Sequence, residues 1–121
     1  MMKKHLHYLI SCLVFLLTVP SLSKANVTLP AIFSVRMVLQ QNSEVTIWGW
    51  GKPLEPINVI GSWDHQTVQT TANNHANWQV KLKTPAAGGP YTLIVMGYNT
   101  IVLQDVLIGE VWLCSGQSNM E

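Results

Sequence analysis

The chain of 121 residues is poor in the features that would place it in several large classes. It has two cysteines, Cys12 and Cys114, and Cys12 lies in an apolar N-terminal run that reads as a removable leader. A secreted domain left with Cys114 alone has no internal disulfide, so its stability must come from packing. Clustered basic charge is missing as well. Residues 26–121 carry four cations (Arg36, Lys52, Lys81, Lys83) against six carboxylates (Glu44, Glu55, Asp64, Asp105, Glu110, Glu121), a net charge of −2. Nucleic-acid binding needs grouped Lys and Arg to neutralise phosphates, and this pattern excludes it. There is no apolar stretch of the roughly 20 residues that a membrane-spanning helix needs. Helical periodicity over three turns, internal repeats and low-complexity linkers are absent from residues 26–121.

The N-terminus has the layout of a secretory signal peptide. Lys3 and Lys4 supply a positive start, Leu6 to Val19 an apolar centre, Pro20 a break, and Ser23-Lys24-Ala25 small residues flanking a cleavage point after Ala25. Leu9-Ile10-Ser11-Cys12 resembles a lipid-attachment box, but the apolar segment follows Cys12 rather than preceding it, and the plain leader is the better reading. The expected location is extracytoplasmic, secreted or periplasmic, without stable membrane insertion after cleavage.

Residues 26–106 read as short strands divided by turn signals. Val35–Gln40, Val45–Trp50, Ile57–Trp63, Gln66–Thr71, Trp78–Lys83, Tyr91–Met96 and Ile101–Val106 are rich in β-branched and aromatic residues. Gly51-Lys52-Pro53, Ala72-Asn73-Asn74-His75 and Pro85 to Pro90 separate some of them. In Trp78-Gln79-Val80-Lys81-Leu82-Lys83 apolar and polar residues alternate, the signature of a half-buried antiparallel strand. These spacings predict a mostly β chain with an antiparallel β-sandwich. All five tryptophans lie in this portion of the chain or just beyond it, enough bulk for one small core. Val106 to Cys114 is nearly continuous in apolar residues and suits a strand covered on both faces. A second domain is therefore expected from residue 107, giving a leader (1–25), a β-sandwich accessory domain (26–106) and the first strand of an α/β domain (107–121).

Chemistry is concentrated in Ser115-Gly116-Gln117-Ser118-Asn119. In open α/β sheets, sites form at the carboxyl ends of strands, where a following helix N-terminus offers N–H donors. A serine at such a turn can act as a nucleophile with part of an oxyanion hole. The same residues also suit a turn and helix cap. The G-x-S-x-G elbow is not satisfied, since position 120 is Met. Trp63 and Trp78, candidates for sugar stacking, sit at strand positions that fit core packing better. His65 and His75 read as loop residues, and no zinc-type spacing surrounds them. Asn26-Val27-Thr28 is a formal N-glycosylation triplet.

The segment Gly109-Glu110-Val111-Trp112-Leu113-Cys114-Ser115-Gly116-Gln117-Ser118-Asn119-Met120-Glu121 resembles the first signature block of the sialate O-acetylesterases, a branch of the SGNH (GDSL-like) hydrolases. Further likeness runs in family order through Phe33-Ser34, Met37-Val38-Leu39-Gln40-Gln41, Val45 to Gly51, Trp78-Gln79-Val80, Gly88 to Leu93 and Asp105 to Trp112. The resemblance implies an SGNH α/β domain from residue 107 in which Ser118 is the nucleophile and its own N–H one oxyanion donor. Gly116, Gln117 and Asn119 would form the supporting turn, with Asn119 either capping the next helix or ordering the nucleophile. Ser115 would be a turn residue and Cys114 a buried hydrophobe. The family's later Gly, Asn and Asp/His blocks do not occur in this sequence, which marks it as an N-terminal fragment, expected to be inactive by itself. The implied reaction is removal of O-acetyl groups from sialic acids, with an O-acetylated sugar as partner and neither cofactor nor metal. Two alternatives accompany it: an acetylesterase acting on xylan or another acetylated glycan, and a non-catalytic β-sandwich glycan-binding module.

Overall fold

In a computed structural model, residues 2–16 and 26–112 are described. A helix α1 (Met2–Leu16) is followed by seven strands: β1 (Val38–Gln40), β2 (Glu44–Trp50), β3 (Pro56–Gly61), β4 (Thr67–Thr71), β5 (Asn77–Lys83), β6 (Gly88–Met96) and β7 (Thr100–Gly109). The side chains of Leu6, Tyr8, Leu9 and Ile10 in α1 are exposed. None of the described helices is long and apolar enough to cross a membrane.

The strands form two sheets. One has five strands in the order β1-β7-β6-β3-β4, and the other is the ribbon β2-β5. All pairings are antiparallel except β1 with β7, which run parallel with Val38 opposite Leu107 and Gln40 opposite Gly109. The fold is thus mostly β, as the strand spacing predicts. In the ribbon, Ile47, Trp78, Val80 and Leu82 point inward. They meet Ile57, Val59, Leu93, Val95, Leu103, Val106 and Ile108 of the larger sheet in one apolar cluster. β3 and β5 contribute every second residue to this cluster, since successive side chains leave a strand on opposite faces.

The strand containing Val106 departs from the two-sided burial expected of its apolar run. β7 is continuous from Thr100 to Gly109, so residues 107–109 extend the sandwich sheet. Leu107 is 44% exposed while Val106 and Ile108 are buried, the alternation of a sheet with one wet face. Leu93 opposes Leu103 and Tyr91 opposes Val106, which leaves one extra residue on β7. Asp105, at φ 58°, takes a left-handed conformation at this bulge. Its consequence is a phase change, in which inward positions switch from 101 and 103 to 106 and 108. Nearer the end of β7 the surplus lies on β6 instead, because Tyr91 opposes Val106 and Gly88 opposes Ile108. Gly89 sits there at φ 122°, where a Cβ would come within 3.0 Å of the Val106 carbonyl.

Two loops meet at Glu55, whose side chain is 0% exposed. Its carboxylate accepts the Lys52 N–H at Oε2 and the Tyr98 N–H at Oε1, each at 2.7 Å. The β2–β3 loop is thereby joined to the β6–β7 loop. Gly97 makes the approach possible, because a Cβ there would overlap Val27 and Oε1 of Glu55. Asn99, in the same loop, accepts the Val27 N–H at 2.6 Å and donates to the Val27 carbonyl at 3.1 Å. Thr28 and Trp50 then exchange backbone hydrogen bonds, fastening residues 27–28 beside β2.

Replacing Glu55 by Ala would leave two interior N–H groups unpaired and open a void between the loops. Urea denaturation should show a loss of about 3 kcal/mol, from two such penalties of 1–3 kcal/mol each. An unchanged midpoint would show that Glu55 does not hold the loops.

Candidate active site: the segment leading out of β7

β7 ends at Gly109, and the next two residues, Glu110 and Val111, are held by the end of β1. Parallel pairing brings Gln40 beside Gly109, and the ladder extends one step further as the Gln41 N–H donates to the Gly109 carbonyl at 2.8 Å. The side chains continue this contact. Gln40 Nε2 donates to Glu110 Oε2 at 3.2 Å, Gln41 Nε2 donates to Glu110 Oε1, and Gln40 Oε1 accepts the Val111 N–H at 2.8 Å. Gln41 Oε1 accepts from the Ala87 N–H at 2.9 Å, so the start of β6 is also attached. Two adjacent amides, each using both ends, clamp the chain as it leaves the sheet.

The clamp has its own support. Thr84 donates its hydroxyl to the Gln40 carbonyl and accepts the Ser43 N–H at 3.1 Å. The Thr84 N–H returns to the Ser43 carbonyl at 2.9 Å, and Asn42 N–H donates to Pro85 O at 2.9 Å. Trp63 Nε1 donates to the Lys83 carbonyl at 2.9 Å from the β3–β4 turn. Gln40 and Gln41 are therefore fixed from the ribbon as well as from the larger sheet. The hydrogen bond from Gln41, and secondarily that from Gln40, hold the Glu110 carboxyl below its ordinary value of 4.5, against a smaller opposing effect of desolvation.

Gly116, Gln117, Ser118 and Asn119, together with Cys114 and Ser115, lie outside the described residues. Of the sequence-derived candidates that are described, none joins the clamp. His65 is exposed on the turn after β3 at φ 55°, and exposed His75 donates its N–H to Asn73 Oδ1 at 2.9 Å. Trp78 is 4% exposed, with Nε1 donating to the Trp50 carbonyl at 3.1 Å. Trp63 is half-buried, edge-on to Tyr91 at 5.8 Å. Both match the core reading. Exposed indoles are instead Trp48 and Trp50, on the outer face of β2, and Trp112, 82% exposed beyond β7. Alternation around Ile47 carried that signal. Among the described residues no group of three or more His, Cys, Asp or Glu could hold a metal ion.

The described fold is similar to that of a solved carbohydrate acetylesterase. A solved carbohydrate acetylesterase from Xanthomonas citri superposes with a TM-score of 0.72 at 40% identity, covering 78% of this chain and 22% of that one. Among curated relatives, the sialate O-acetylesterase of Mus musculus is 40% identical over 96 residues and that of Homo sapiens 38% over 96 residues, each match covering 70% of this chain. The chain is a homologue of the sialate O-acetylesterases, and it spans 18% of the length of the curated relatives it matches. No protein-family model matches it.

The clamp makes a prediction about pH. A carboxylate with a lowered folded value contributes stability above its unfolded value, and loses it as pH falls through the folded value. In an NMR titration Glu110 should therefore titrate below an unstructured glutamate, and Gln41→Ala should move its midpoint up. A midpoint that stays put in Gln41→Ala would refute the assignment of the shift to Gln41.

Proposed function

We propose that the chain supplies the β-sandwich and the nucleophile block of an extracytoplasmic carbohydrate O-acetylesterase, with the chain entering an SGNH domain after β7 ends at Gly109. The observation that carries this reading is the 36–40% identity to sialate O-acetylesterases, together with the serine block directly after the clamped residues. Ser118 would attack the acetyl carbonyl of an O-acetylated sugar, most readily a sialic acid, and expel the sugar hydroxyl. Water would then release acetate from the acyl-enzyme. The Ser118 N–H would meet the developing oxyanion. The clamp supports this role because it fixes the backbone at Gly109 to Val111, seven residues ahead of Ser118. A nucleophile displaced by about 1 Å can lose roughly 100-fold in rate. The leader reading is supported by α1, in which the apolar side chains of Leu6, Leu9 and Ile10 are exposed.

A second reading has its own support. The structural neighbour is named a carbohydrate acetylesterase, which supports xylan or another acetylated glycan as the alternative substrate.

Acetate release from an O-acetylated sialic acid by the full gene product should fall by three or more orders of magnitude in Ser118→Ala, the scale of losing a triad member. Undiminished turnover would remove Ser118 from the mechanism. Acetyl xylan, run in parallel, separates the two substrate classes. The 121-residue chain alone should release no acetate, since the base expected from the family is not found in it.

A further inference from the structure

The outer face of the β2–β5 ribbon changes character along its length. In register, Glu44 opposes Lys83 and Thr46 opposes Lys81, then Trp48 opposes Gln79 and Trp50 opposes Asn77. Charge occupies one end, where Lys81 pairs with Glu44 at 3.6 Å, and indoles with amides occupy the other. Beside the second end, where β4 approaches β5, lies an open groove of about 470 Å³. Its walls include Trp48, Thr70, Thr71, Asn73, Asn77 and Gln79, and no charged side chain lines it.

Trp48 is 37% exposed and held on two sides. Phe33 meets it edge-on at 6.1 Å and 81°, and Trp50 at 5.5 Å and 80°. An indole fixed in this way loses little freedom when a ligand stacks on it. The polar wall is free to respond. Asn73 commits its Oδ1 to the N–H groups of His75 and Asn77 at 2.9 and 3.0 Å. Its amide N–H₂, and the side chains of Asn77 and Gln79, make no hydrogen bond among the described residues.

We infer that the groove walled by Trp48, Thr70, Thr71, Asn73, Asn77 and Gln79 binds a neutral glycosyl unit of a polysaccharide, apart from the esterase block. A pyranose has an apolar face for the indole and a rim of hydroxyls that donate and accept, matching amides and threonines. An anionic sugar would find no cation in the walls. Trp48 lies four residues beyond Glu44 along β2, about 13 Å at the strand rise. The groove is therefore toward the end of the ribbon away from Gln41 and Glu110. The inference rests on the reading that this protein acts on sugars. It adds a second contact, one that keeps the enzyme on a neutral polymer.

Affinity electrophoresis of the chain in gels containing soluble xylan, deacetylated xylan or polysialic acid tests this. Both xylans should retard it and polysialic acid should not. Trp48→Ala should weaken retardation roughly tenfold, the loss of about 1.4 kcal/mol of stacking, and Gln79→Ala should weaken it by a smaller factor. Absence of wild-type retardation in xylan would overturn the proposal. So would wild-type retardation of a folded Trp48→Ala variant. If Trp48→Ala unfolds, exposed Gln79 decides, and an unchanged Gln79→Ala overturns it. If Trp48→Ala lowers only the melting temperature of the full gene product, the face packs against protein and the proposal falls. Xylan retardation alongside no acetate release by the full gene product would keep the groove and remove the esterase assignment. The reverse result would keep the esterase and remove the groove.

Discussion

A buried carboxylate holds this small sandwich in shape. Glu55 lies where the β2–β3 and β6–β7 loops converge, and each oxygen accepts a backbone N–H from a different loop. The two loops belong to chain segments more than forty residues apart. The ribbon β2-β5 shares no strand hydrogen bonds with the five-stranded sheet, so the apolar cluster alone would allow the layers to slide. Directional bonds through Glu55, extended by Asn99 to Val27 and by Thr28 to Trp50, set how the ribbon sits over the sheet. Hydrophobic burial supplies the driving force, and these few polar contacts select one arrangement.

Much of this fold was legible in the sequence, because alternation is a local property. Trp78, Val80 and Leu82 had to share a face, and they do. The strand expected at 91–96 begins earlier, at Gly88, because the glycine-proline segment joins β7 through a bulge, not a simple turn. The apolar run from Val106 was harder to read. Its Leu107 is exposed, and the bulge at Asp105 changes the alternation partway along β7, which composition does not signal. Glu55 looked like any loop glutamate, since its burial depends on a loop that arrives forty residues later.

The site region was legible in a different way. Gln40, Gln41 and Glu110 each lay within a segment quoted for its family likeness, yet nothing local assigned them to one another. Only the parallel β1–β7 register explains why two glutamines at one strand end match a glutamate at another. The aromatic surface followed the same rule. Trp63 and Trp78 are packed, whereas Trp48 and Trp50 point outward on the face opposite Ile47. The ring that can meet a ligand is decided by strand phase rather than by residue type.

The β1–β7 pairing also has a temporal meaning. Strand β1 is three residues long, and its partner is made about seventy residues later. Joining them requires closing a long loop, a slow and entropically demanding step that local hairpins such as β3–β4 avoid. During synthesis, the first strand therefore waits unpaired at the edge until the last one emerges. The backbone ahead of Ser118 is thus aligned only when the sandwich is complete. Assembly of the sandwich acts as a checkpoint, and a chain whose opening segment is misplaced would lack the clamp that fixes the backbone from Gly109 to Val111.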